Sequence, residues 1–195
     1  MIFSRCSTRS PTPRHGWSAA PSAVVLPSMR RSRRPIGWRV LLAPAVSGAP
    51  APDLDADTAR FDRLLDQAIK TGDLDEQNRL ATWLWLDGPA QPEGRVGGPG
   101  RSLLLDMNKA LLLHGVPEEA GASGIDAWSQ LDRVNTPATV ACGDLDVPFL
   151  IGRSRELAEY LPNGRHRVLT GMAHLPQIEA PAAVAALVGD AVTAG

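Results

Sequence analysis

Two stretches decide the fold. The first is Asn135-Thr136-Pro137-Ala138-Thr139-Val140-Ala141-Cys142-Gly143-Asp144-Leu145-Asp146-Val147-Pro148; the second, after a helical pattern, is Arg167-Val168-Leu169-Thr170-Gly171-Met172-Ala173-His174-Leu175-Pro176. Each is an apolar run ended by a glycine-bearing turn. Pro137 to Cys142 is apolar throughout rather than alternating, which predicts a strand covered on both faces of a parallel sheet. Ile151 to Tyr160 carries a helical period and returns the chain for a parallel crossover. Arg167 to Leu169 is then the last strand. In an open parallel sheet the loops at the carboxyl ends of the strands converge on one edge, where ligands bind. The two turns therefore bring an aspartate and a histidine to the same edge.

That pairing suits acyl transfer. The chemistry needs a base that titrates near neutrality and a buried carboxylate that fixes its tautomer and steadies the imidazolium. His174 and Asp146 fit these roles, with Asp144 as the fallback acid and otherwise a solvated turn residue. His114, at a predicted helix C-terminus where a cation is favoured, and His166, at the start of a strand, have no such setting.

The order strand, acidic turn, helix, strand, histidine turn, helix resembles the C-terminal part of the α/β-hydrolase family. So do the local motifs: Gly143-x-x-Asp146 after the penultimate strand, and His174-Leu-Pro-x-x-Glu179-x-Pro181 after the last. The acid precedes the histidine, as the family's chain order requires. The resemblance covers residues 39–195. It implies a partial α/β-hydrolase fold, with a parallel sheet of about three recognisable strands and a helical cap at about 50–130. It further implies a Ser-His-Asp esterase or lactonase-like enzyme that acts on a small molecule and needs no metal or cofactor. Asp146 is then preferred to Asp144, and Glu179 is structural rather than catalytic.

The family carries its nucleophile in a strained G-x-S-x-G turn between a strand and a helix. The near match upstream of the sheet is Gly16-Trp17-Ser18-Ala19-Ala20, which places Ser18 25 residues before Ala43, about the family's spacing. Its last glycine is Ala20, no apolar strand precedes it, and Pro21, Pro27 and Pro35 follow where a helix is required. Part of the oxyanion hole should come from an earlier loop, and that loop has no counterpart here. Ser18 stands as the nucleophile candidate against the default of a serine in a tail.

Between the head and the two motifs lie a short apolar run, Val40 to Leu42, and three helical patterns. Phe61, Leu64, Leu65, Ala68 and Ile69 form one stripe within Asp53 to Thr71, with Gly72 as its stop. A second helix is expected from Leu74 to Leu86 with Asp73 as N-cap, and a third from Ser102 to His114. Asp87 to Gly100, rich in Gly and Pro, reads as a loop. Trp85-Leu86-Asp87-Gly88-Pro89 looks like a string found in caps of some hydrolases, yet plain helix packing is the favoured reading of Trp83 and Trp85. Pro181 opens a closing helix with Val184, Leu187, Val188 and Val192 on one face.

A net charge of −1 conceals an asymmetry: Met1 to Pro52 holds eight arginines and no acid, and the rest holds all 21 acidic residues. Residues 1–38 read as an Arg/Pro/Ser-rich segment that is a targeting peptide, a disordered tail or, as favoured here, a stretch translated out of frame. The absence of lysine from this head, the lack of a nucleic-acid fold after it and an acidic body argue against nucleic acid as a partner. No apolar run approaches the roughly 20 residues of a membrane span, and Cys6 and Cys142 suggest no disulfide framework or metal site. The expectation is a cytoplasmic hydrolase, truncated or mis-framed in this chain and marginally stable, since three strands leave backbone groups unpaired at the sheet edge. A non-catalytic, hydrolase-like small-molecule-binding module is the alternative.

Overall fold

The computed structural model describes residues 40–42, 46–115 and 126–193. The arginine-rich head, Ser18 included, lies outside the described residues. Three strands form one parallel sheet in the order β1 (Val40–Leu42), β2 (Ala138–Gly143), β3 (Gly164–Leu169). Leu41 pairs with Val140, and Val140 in turn with His166. The three expected strands are thus present and parallel.

The central strand explains the layering. In β2 successive side chains point to opposite faces. Val140 packs against Leu157, Ala158 and Leu161 of helix α4 (Pro148–Tyr160) and its C-terminal turn. Ala141 faces the other way, toward Leu169 and toward Leu187 of helix α6 (Pro181–Thr193). Helices on both faces account for the continuous apolar run. β3 differs from the expectation that it begins at Arg167: Gly164, Arg165 and His166 already pair with Ala138, Thr139 and Val140. It is an edge strand with much of its surface exposed, so charged residues are tolerated in it and hide its start.

Among the described residues, three α-helices lie between β1 and β2. In α1 (Ala56–Thr71) the Asp55 carboxylate accepts the amides of Asp57 and Thr58, and Gly72 closes the helix in the left-handed region. In α2 (Leu74–Thr82) Asp73 caps the Glu76 amide at 2.9 Å, as expected. Phe61, Leu80 and Leu84 are fully buried and meet Val147 and Leu150 at the start of α4, which joins the helical layer to the sheet's upper edge.

The second helix departs from expectation at Trp83. Residues Trp83–Asp87 form a π-helical turn rather than four more residues of α-helix. Gly88, at φ 98°, ends it, and its amide donates to the Trp83 carbonyl. A Cβ at Gly88 would overlap the Leu145 carbonyl, so glycine is what permits this backbone to touch the acidic loop. The third helix, α3 (Gly98–His114), starts four residues earlier than expected, because Pro99 sits well in a first helical turn. A six-residue 3-10 stretch (Trp128–Arg133) leads into β2, and a one-turn helix α5 (Pro176–Glu179) precedes α6. No described helix is long and apolar enough to cross a membrane.

Candidate active site

β2 ends in Gly143 and β3 in Leu169, neighbours in register, so the two following loops leave the sheet side by side. They are stitched together. The Leu145 amide donates to the Met172 carbonyl at 2.9 Å, and the Gly171 amide donates to Asp144 Oδ1 at 2.6 Å. Asp144, exposed, therefore joins the two loops and does not reach the histidine. Gly143 lies directly beneath the histidine loop, and a Cβ there would overlap the carbonyls of Met172 and Ala173. Gly143→Ala is accordingly expected to force the loops apart and lower stability by about 1–3 kcal/mol, the usual range for overpacking. Thermal unfolding measures it.

Two residues on, Asp146 turns inward. Its side chain is 1% exposed and that of His174 5%, and His174 Nδ1 stands 3.0 Å from Asp146 Oδ2. Oδ1 accepts the Val147 amide at 2.6 Å, and Oδ2 is also approached by Cys142 Sγ at 3.4 Å. A carboxylate that accepts the hydrogen bond from Nδ1–H leaves the lone pair on Nε2, the form of imidazole that can act as a base. The structure brings together Asp146 and His174 of the residues singled out in the sequence; Ser18 is outside the described residues.

Glu179 secures the histidine loop. Its Oε1 accepts the Ala173 amide at 2.6 Å, and its Oε2 pairs with Arg95 at 2.6 Å. Arg95 also donates to the carbonyls of Asp87, Leu86 and Gly171, so one guanidinium ties the π-turn to the histidine loop. Burial pushes the Glu179 carboxyl above the ordinary glutamate value, outweighing the Arg95 hydrogen bond and the Ala173 amide, which pull it down. A raised folded value means that folding takes up a proton as the pH falls. Stability from this group is thus fully present below the unfolded value and is lost as the pH rises through the folded one. Glu179→Gln, which cannot titrate, should therefore lose ground to the parent as the pH is lowered from neutrality to about the model-peptide glutamate value of 4.3. Paired thermal melts across that range read the difference.

Trp83 packs as expected, edge-on to Phe61 at 5.1 Å, with its indole N–H donating to the Gln91 carbonyl. Trp85 packs between two apolar clusters, as expected, and also reaches the histidine. Its ring lies 4.6 Å from that of His174, inclined by 49°. Trp85 lies at the middle of the π-turn, which sits beside the histidine loop. His166, by contrast, is structural, with Nε2 at 2.8 Å from Ser154 Oγ, and His114 is exposed at the end of α3. The contacts of Cys142 and Arg95 had no signature in the sequence: one occupies an apolar strand position and the other a Gly/Pro-rich loop.

No family model and no curated protein matches the chain. Among solved structures it is similar to 2-hydroxy-6-oxo-6-phenylhexa-2,4-dienoate hydrolase from Rhodococcus sp. strain RHA1, at 19% identity and a TM-score of 0.54, over 79% of this chain and 54% of that one. A serine hydrolase from the polyaromatic-hydrocarbon-degrading bacterium Cycloclasticus zankles gives 19% identity and a TM-score of 0.52, over 79% and 54%. MenH from S. aureus gives 13% and 0.51, over 82% and 60%. The chain spans about half the length of the solved structures it matches.

Proposed function

We propose, for a chain whose fold is a partial α/β-hydrolase fold, that it is built to hydrolyse ester or lactone bonds of a small molecule through a Ser-His-Asp triad. His174 acts as general base and then general acid, and Asp146 orients it and steadies the imidazolium. The observation that carries this reading is the buried 3.0 Å contact between His174 Nδ1 and Asp146 Oδ2 at the carboxyl edge of the parallel sheet. Helices α1 to α3 serve as the cap, and Trp85 of the π-turn is the cap residue set against the base. Ser18 is the nucleophile candidate.

Reaction of the full chain with a fluorophosphonate probe, followed by peptide mapping, tests the proposal. Labelling at Ser18 that disappears in His174→Ala is the expected result. Labelling at no serine would overturn the triad; retained binding of a small apolar ligand would then identify a non-catalytic module.

A further inference from the structure

Behind the Asp146–His174 pair, on the face of the sheet covered by α4, runs a second line of polar side chains. Parallel register sets Val140 beside His166 and Cys142 beside Val168, and residues so paired share a face. Cys142 and His166 thus look toward the same helix. α4 presents Ser154 to them, fully buried on the stripe that also carries Leu150, Leu157 and Ala158. Ser154 Oγ donates to the Ile151 carbonyl at 2.8 Å and lies 2.8 Å from His166 Nε2. Cys142 Sγ approaches Asp146 Oδ2, the oxygen that also meets His174 Nδ1.

We propose that Cys142 is a positioning residue for the Asp146 carboxylate: its S–H donates to Oδ2 from inside the sheet while the Val147 amide holds Oδ1, so the carboxylate plane cannot turn away from His174. This rests on reading Asp146 as the orienter of a base. The geometry supplies the reason for a thiol. A carboxylate pinned at Oδ1 alone can still swing Oδ2, and at 1% side-chain exposure no bulk water restrains it. A thiol is a weak donor, but inside a protein even a weak hydrogen bond gains strength from the low local dielectric. It must also keep its proton. Burial first, then the Asp146 charge and the hydrogen bond to it, push the Cys142 thiol far above its usual range against the smaller pull of Ser154 and Arg155. The sulfur therefore keeps a proton to donate. Ser154, held by Ile151 and His166, stands on the α4 side of the same face.

The test uses the full chain carrying Cys6→Ser, so that Cys142 is its single thiol. The Raman S–H stretch should fall below that of a free thiol in apolar solvent; a stretch at the free-thiol position overturns the proposal. In proton NMR, the far-downfield resonance of the His174 Nδ1 proton should move upfield and broaden in Cys142→Ala and return in Cys142→Ser, which restores a donor. An unchanged resonance in Cys142→Ala overturns it equally. Should Cys142→Ala not fold, the Raman band of the Cys6→Ser chain decides alone. Neither measurement reads turnover, so a chain that never labels with fluorophosphonate can still support or sink this inference.

Discussion

Asp146→Asn is expected to slow fluorophosphonate labelling by about 10⁴-fold, the scale of losing the correct imidazole tautomer in a Ser-His-Asp triad. The carboxylate accepts the Nδ1 proton at 3.0 Å, whereas an amide in its place can turn its NH2 toward Nδ1. The histidine then carries its proton on Nε2 and has no lone pair to offer a serine hydroxyl. Stability should change far less than rate. The site is buried and pre-shaped, the Val147 amide still finds an oxygen, and replacing a buried charge by a neutral isostere removes a desolvation cost together with an attraction. Labelling kinetics and thermal melts on the same protein separate the two effects. Undiminished labelling in Asp146→Asn would remove Asp146 from the mechanism, and Asp144, exposed and bonded to the Gly171 amide, could not replace it.

What could be read in the chain beforehand follows a physical divide. Parallel strands buried on both faces announce themselves as apolar runs, so β2 and the turn after it were legible, and with them Asp146 and His174. The motif resemblance favours Asp146 over Asp144, and the two differ in burial: one is inside at 3% exposure, the other exposed. The start of β3 at Gly164 leaves no apolar signal, because an edge strand accepts charged residues such as Arg165. Nor does the π-turn leave a mark of its own: Leu80, Trp83 and Leu84 keep a helical period across it. Arg95 sits in a loop of glycines and prolines where no period exists, and its four partners lie on two other segments. Local pattern reveals elements, whereas the contacts between elements that aim a side chain do not leave a local pattern.

Those contacts are where the second large effect is expected. Asp87 closes the π-turn and is fully buried. Its Oδ1 accepts the Val96 amide at 2.9 Å, and its Oδ2 accepts the Gly94 amide at 2.9 Å and Arg101 Nη1 at 2.8 Å. Asp87→Ala removes both acceptor oxygens, and three hydrogen bonds, at once. It strands two backbone amides in a partly buried loop and leaves Arg101, 18% exposed, without its carboxylate. Breaking a buried pair from one side costs about 3–5 kcal/mol, and unsatisfied amides add to that in a non-additive way. For a chain of this size that is a fall in Tm of roughly 10 °C. Asp87→Asn, which keeps one oxygen for an amide, should fall between the parent and Asp87→Ala. The loss should also reach the site. The loop that Asp87 orders carries Arg95, and Arg95 ties the π-turn to Gly171 and Glu179 on the histidine loop. Without that order Trp85 has no fixed place over His174, so Trp emission should shift to the red at temperatures well below the melting transition. Full retention of both the Tm and the emission maximum in Asp87→Ala would show that the loop is ordered by its apolar contacts, Val96 against Leu86 and Leu175, rather than by the carboxylate.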